Sequence, residues 1–318
     1  MQRTSGRGRP SRMLSCCAMT GPGHSQGAPR LSIVVAAVDA QDTIGACLTA
    51  LLTATADIPS DIVVVEASRD DTRRRVEAFP SVRLISEAPG LLVPHLWARG
   101  FHASQGTFVA FTLAQLRVSA TWAERLLAAI GPGVAGVGGG FTLAADTGPA
   151  AWALFYLRYS AFIEERWRDG LVAGEIAGDN ALYRRSDLEA LPSFDADGFW
   201  EVAIHRQLRR RWLALAGATG AAAAAMGRPS PARVLVERLR HGRRFAASRA
   251  TSLASRARQV VATPLVPAIL WWRAAQRVLP YSAHHLRFLA ALPWMVCFAT
   301  AWAWGEALGA LVGDEPAR

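Results

Sequence analysis

Through the first half of the chain, apolar runs with β-branched centres alternate with amphipathic stretches. "LSIVVAAV" (31–38), "DIVVVEAS" (61–68), "VRLISEA" (82–88) and "TFVAFTLA" (107–114) read as strands, the first two apolar enough to be buried on both faces. Between them, Ile44, Cys47, Leu48, Leu51 and Leu52 share one face of a helix that Asp42 is placed to cap. Residues 69–79 read as a turn and a short helix, and 93–104 and 123–130 as further helices. Strand and helix alternating over short connections predict an α/β fold, a mostly parallel sheet with helices on both faces. Ligands of such sheets sit at the carboxyl ends of the strands, here at 38–39, 66–68, 87–88 and 112–115.

The middle of the chain is less regular. Gly131, Gly133 and Gly136 have the spacing of a dinucleotide fingerprint. However, a helix precedes them and a strand follows, so they read as a turn. "EIAGDNALYRRSDLEAL" (175–191) gives a strand and a helix start, with Ser186 and Glu189 spaced as a capping box. Residues 199–212 form a helical pattern that sets Glu201, His205 and Arg209 on one face, and "ALAGATGAAAAAM" (214–226) reads as a last strand. The lone histidines His95, His102 and His205 read as structural.

Beyond residue 227 the pattern changes. Arginines crowd an amphipathic helical segment at 228–259. Next come the short apolar stretch 260–272, with Pro264 and Pro267, and the longer one 288–313, with Trp294, Trp302, Trp304 and a single acid, Glu306. A span needs about 20 apolar residues, so 288–313 is expected to cross a membrane and 260–272 to lie in its interface or re-enter it. A single span keeps the arginine-bearing link 273–287 on the cytoplasmic side. The competing reading is a buried helix pair in a soluble protein.

Composition adds less. The chain of 318 residues carries a net charge of +10 and no lysine, so every strong cation is arginine. Anionic membrane lipids are the expected partner of that charge. Nucleic acid is not, because the arginines flank apolar segments rather than interleaving with exposed aromatics. Cys16, Cys17, Cys47 and Cys297 have no metal-site or disulfide spacing and read as reduced thiols. Residues 1–30 read as a disordered basic tail, with Met13 or Met19 open as alternative starts.

The blocks "LSIVVAAVDAQDTIGACLTALL", "DIVVVEASRDDT", "GTFVAFTLAQLRVSATWAERLLAAI", "GDNALYRR" and "FWEVAIHRQLRRR" resemble, in order and spacing, the family 2 glycosyltransferases of GT-A fold. The resemblance covers residues 31–227, and the arginine-rich and apolar tail resembles the membrane-attached bacterial members that build surface polysaccharides. It implies a nucleotide-sugar donor and a lipid-linked or growing glycan acceptor, with the catalytic domain on the cytoplasmic face of the bacterial inner membrane. It also implies nucleotide contacts from Ala37, Val38 and Asp39, and base or ribose contacts from Glu66. An Asp-x-Asp metal motif would fall at Leu113, Ala114 and Gln115, where no carboxylate remains, and the histidine often added from the last strand is missing from 217–227. The divalent metal usual in the family therefore has no evident ligands. Arg117 is expected to take over its charge, with Leu113 and Gln115 lining the donor. Glu201 matches the general base of inverting transfer, and Asp179 and Asn180 match the turn that lines the acceptor. "QLRRRW" (207–212) departs by one residue from the motif of processive synthases, so processivity is not carried over. A catalytically silent member that binds a nucleotide or a partner enzyme is the alternative.

Overall fold

A computed structural model describes residues 29–144, 147–191, 198–227, 230–249 and 252–312. The tail before residue 29, with Cys16 and Cys17, and the acidic end after 312 lie outside the described residues.

An eight-stranded sheet runs in the order β3-β2-β1-β4-β9-β6-β10-β8. Its first block is parallel: β1 (Leu31–Ala37), β2 (Ser60–Glu66), β3 (Val82–Ser86) and β4 (Phe108–Leu113). The sequence pattern is explained by two-sided burial. Along β1, Val34 and Ala36 face one core while Ile33, Val35 and Ala37 face the other. With both faces covered, no polar position is required and the strand reads as one apolar run. Helix α1 (Ile44–Ala54) buries Ile44, Cys47, Leu48 and Leu51 against the second core. Each such side chain contributes about 2 kcal/mol of burial. α2 (Thr72–Glu77), α3 (Val93–Ala103) and α4 (Trp122–Ala129) complete the first half.

The second half departs from a parallel pattern. β9 (Asn180–Arg184) runs antiparallel to β4 on one side and to β6 (Val134–Gly138) on the other. β10 (Ala214–Gly217) returns parallel to β6 and pairs antiparallel with β8 (Gly170–Leu171). A second sheet has the order β5-β11-β7, from β5 (Leu116–Val118), β11 (Ala223–Ala225) and β7 (Phe141–Leu143). The single last strand expected over 214–226 is thus two, separated by a turn at Gly220 (φ +78°), and they belong to different sheets. Gly139 is required where the sheets meet, because a Cβ there would strike the Ala221 carbonyl oxygen.

Two capping expectations fail. Thr43, not Asp42, precedes the first turn of α1, and α6 (Arg185–Glu189) starts after Arg184, with Ser186 already inside it. Neither start has a side-chain cap, because β9 runs directly into α6 and the Ala40 carbonyl accepts from Thr43 and Ile44 at the head of α1. The turn at 131–133 between α4 and β6 is as read from the sequence.

α5 (Pro149–Tyr159) and α7 (Glu201–Arg210) pack on the sheet, and four helices follow: α8 (Pro231–Arg249), α9 (Leu253–Ala262), α10 (Val266–Val278) and α11 (His285–Val312). Segment 260–272 is not one element. It is the end of α9, a 3-10 turn carrying Pro264, and the start of α10 with Pro267 in its first turn, where proline is favoured. α11 is the one helix among the described residues long and apolar enough to cross a membrane. Its first half packs on α5, where Phe288 meets Tyr156 and the Arg287 guanidinium lies 5.1 Å from the centre of the Trp152 ring. Its second half packs on α8 through Gly242, Gly305 and Gly309, at each of which a Cβ would collide with the facing backbone. The outer side of α11 leaves Leu289, Val296, Trp304 and Leu311 exposed, and α10 with its preceding turn exposes Leu265, Ile269 and Trp272.

Candidate active site

The strand register brings most of the expected site residues to one edge. Ala37 lies opposite Glu66, Ala36 opposite Leu113, and Thr112 opposite Asn180. Because β9 is antiparallel to β4, its first residues meet the carboxyl end of β4. This places Asp179 and Asn180 beside the end of β4, with the ends of β1 and β2 one and two strands further along the same edge.

On the side where the sequence places the donor, Asp39 has φ 44°, in the left-handed region, where a short polar side chain is tolerated. The Asp39 N–H donates to Ser68 Oγ (3.1 Å), and its carboxylate accepts from the Arg69 N–H (2.9 Å) and from Arg233 of α8 (3.0 Å). Glu66 is buried and accepts from the Ser68 N–H (2.9 Å). The Gln115 amide donates to the Val38 carbonyl (3.0 Å), and its backbone carbonyl accepts from Met226 (2.8 Å). Together these bonds stitch the turns after β1, β2 and β4 to one another. Arg117 lies beyond them on β5, opposite Ala224, with an exposed side chain.

A divalent cation needs several converging oxygen donors. The end of β4 supplies a leucine, an alanine and a glutamine whose amide is tied to Val38. Beneath it, burial pushes the Cys47 thiol up to about 12, so it stays protonated and bonds to the Leu113 carbonyl. No group of three His, Cys, Asp or Glu side chains converges among the described residues. These residues do not fit the metal usual in the family.

The side where the sequence places the acceptor holds an acidic pair. Glu201 opens α7, and its carboxylate accepts from the Gly178 N–H (2.9 Å). Burial, then the neighbouring Asp179 carboxylate, pushes Glu201 up to about 7. Asp179 is 5% exposed and accepts from Arg158 (2.9 Å) and the Tyr159 hydroxyl (2.7 Å), both of α5. Burial holds the Tyr159 phenol well above its ordinary range, so it stays a donor. One carboxylate is thus held by a guanidinium and a phenol while its neighbour Glu201 is raised towards neutrality, an arrangement that suits proton transfer at Glu201. Asn180 is fully buried. Its amide donates to the Gly140 and Ala221 carbonyls (2.9 and 3.1 Å) and accepts from Trp122 Nε1 (2.6 Å), so it ties three segments together.

Behind Glu201 runs a second chain of polar groups. Arg209 donates to Glu175 (2.7 Å), Glu175 pairs with His205 Nδ1, and His205 Nε2 meets the Tyr183 hydroxyl (2.7 Å). Burial would raise Glu175, but hydrogen bonds from His205 and Arg209 outweigh it and hold the carboxyl at about 2.

Sequence reading missed Arg158, Tyr159, Gly178 and Glu175. The available signal was an arginine in the otherwise apolar run "AAWALFYLRYSAF" (150–162). The arginine lies partly in solvent, and its partner Asp179 is 21 residues away in sequence.

Residues 32–191, half of the chain, match the model of a family described as "Glycosyl transferase family 2". No curated protein matches the chain. Similar solved structures include a mycobacterial protein (21% identity, TM-score 0.47, covering 67% of this chain and 73% of that one). Another is glucosyl-3-phosphoglycerate synthase from Mycobacterium tuberculosis with Mn2+, uridine diphosphate and glucosyl-3-phosphoglycerate (21%, 0.45, 63% and 73%). A third is a mannosyltransferase from Pyrobaculum calidifontis with GDP-Man and Mn2+ (16%, 0.48, 88% and 87%). By the family match over residues 32–191, with its α/β sheet, the chain belongs to glycosyltransferase family 2 and has the GT-A fold.

Proposed function

We propose that the protein transfers a hexose, with inversion, from a nucleotide sugar to a hydroxyl of a lipid-linked or growing surface glycan. The reaction takes place at the cytoplasmic face of a bacterial inner membrane. The observation that carries this reading is the Asp179–Glu201 pair at the strand-end edge, with Glu201 raised to about 7. The acceptor hydroxyl gives its proton to the Glu201 carboxylate as its oxygen bonds to the anomeric carbon. The bond from that carbon to the diphosphate breaks, and its electron pair leaves with the nucleoside diphosphate. Ala37, Val38, Asp39, Glu66, Leu113 and Gln115 line the donor, and Asp179 and Asn180 shape the acceptor side. The departing charge still needs a cation. Arg117, exposed and permanently charged, is the candidate closest in sequence to the end of β4.

Purified membranes are to be screened against a panel of nucleotide sugars for nucleoside diphosphate release. At least one donor is expected to be turned over, and EDTA is expected to leave that rate unchanged. Arg117→Ala should weaken nucleoside diphosphate binding far more than Arg83→Ala. Loss of turnover on chelation, with recovery in Mn2+, would end the metal-independent reading.

A silent, nucleotide-binding member is the second reading. It is favoured by the committed side chains of Glu66 and Gln115, which already serve Ser68 and Val38. Absence of turnover with every donor, under all conditions, selects it.

Membrane attachment is assigned to α11 and the exposed apolar side of α10, with α8 and α9 contributing arginines. After high-salt and carbonate washing the chain is expected to stay in the pellet. A chain lacking residues 288–318 is expected to be largely released, with the rest held by the arginines until salt screens them. Full-length protein in the carbonate supernatant would show that 288–313 does not span.

A further inference from the structure

A cleft of about 630 Å³ opens beside the acidic pair, between residues 158–175 and α10. Four arginines line it: Arg158, Arg166, Arg168 and Arg277. The two acids in its wall are engaged elsewhere. Asp169 accepts from the Thr219 N–H and hydroxyl (2.7 Å each), and Glu175 serves His205 and Arg209. Arg168 donates to the Glu165 and Trp167 carbonyls, which carry no net charge. Among the described residues, neither Arg166 nor Arg277 has a carboxylate within ion-pair distance. Partial burial, then the neighbouring Arg166 and Arg273, lowers Arg277, as expected where cations crowd without a counter-ion. Only Arg158 is neutralised, and its partner is Asp179.

We infer that this cleft binds a phosphate or diphosphate group on the acceptor, next to the hydroxyl that receives the sugar. This rests on the glycosyltransferase reading above and deepens it. Guanidinium groups converging on a concave surface match phosphate oxygens in geometry and charge. Arg158 belongs to both places: it lines the cleft and holds Asp179, so an anion seated there lies one side chain from the acidic pair. α10 contributes Arg277 to the cleft and, one to two turns earlier, exposes Ile269 and Trp272. A phosphate borne on a lipid could keep its chain against these side chains while its head group enters the cleft. A soluble phosphorylated acceptor would use the same arginines.

The test uses the full chain in detergent, with inorganic pyrophosphate as the probe in titration calorimetry. Pyrophosphate is expected to bind, and Arg166→Gln with Arg277→Gln together should weaken it about 10-fold or more. Arg99→Ala, which disrupts a surface pair with Glu87, should leave it unchanged. Arg166→Lys, keeping the charge, should retain most of the binding, and matched melting temperatures show that each variant is folded. Two competitors separate the sources. Displacement by phosphatidate vesicles but not by glycerol phosphate identifies a lipid-borne phosphate, and displacement by both identifies a soluble one. No pyrophosphate binding, or equal binding by the double glutamine variant, overturns the assignment. That failure is distinct from failure of the glycosyltransferase reading, which shows as absent donor turnover while pyrophosphate still binds.

Discussion

Glu201→Gln is expected to lower donor turnover by roughly 10²-fold or more while leaving nucleoside diphosphate binding nearly unchanged. Glutamine keeps the shape and still accepts from the Gly178 N–H, so only proton affinity is removed. The wild-type rate should rise with pH through about 7, where Glu201 loses its proton, and then level off. Stability should move the opposite way. A carboxyl raised by burial is bound to a proton in the native chain at pH values where the unfolded chain has already released it. Native stability therefore falls as pH climbs from the unfolded value towards 7. Above that point the buried charge costs on the order of 1–3 kcal/mol, which glutamine does not incur. The variant should thus melt higher than wild type at pH 8, and the gap should narrow or vanish near pH 5. Turnover equal to wild type would remove Glu201 from the chemistry. A melting gap independent of pH would show that its proton is not displaced.

The second large effect is at the seam between α8 and α11. A Cβ on Gly305 would strike the Leu239 carbonyl oxygen and come within 2.9 Å of the Arg243 nitrogen, and one on Gly309 would strike the Arg243 carbonyl. Backbone cannot yield as a side-chain tip does. Gly305→Val is expected to cost about 3 kcal/mol or more, lowering the melting temperature by roughly 5–10 °C. Leu308→Val, on the outer side, should change it little. Equal melting of Gly305→Val and wild type would show that the two helices do not meet along these glycines. The spacing Gly305–Gly309 is one that lets helices approach closely in lipid as well as in water.

How much of this was visible beforehand follows from what each segment packs against. β1, β2 and β4 were legible because burial on both faces leaves an uninterrupted apolar run. β11 is three alanines, which carry no strand signature, and its place is set by its partners β5 and β7. The antiparallel insertion of β9 left no local trace, since a strand buried on both sides reads the same in either direction. In the site, Glu201 and Asp179 were marked singly by resemblance. That they share one cluster with Arg158 and Tyr159 depends on α5 folding across them, a contact between segments that no local spacing encodes. The arginines of the cleft were lost among 35 basic residues in the chain. What distinguishes them is that the acids in the same wall are already engaged by other groups, which only the folded arrangement reveals.

The Arg233–Asp39 pair has a mechanical consequence. α8 is pinned at its first turn to the end of β1, and along its length to α11. α11 in turn is braced at its other half against α5, which carries Arg158 and Tyr159. These contacts close a triangle of struts around the candidate edge. Tilting α11 against the edge therefore strains at least one side of that triangle, of which the exposed Arg233–Asp39 pair is the weakest. Whatever receives the exposed stripe of Leu289, Val296, Trp304 and Leu311 is therefore linked, through α8 and α5, to the turn at Asp39 and to the acidic pair.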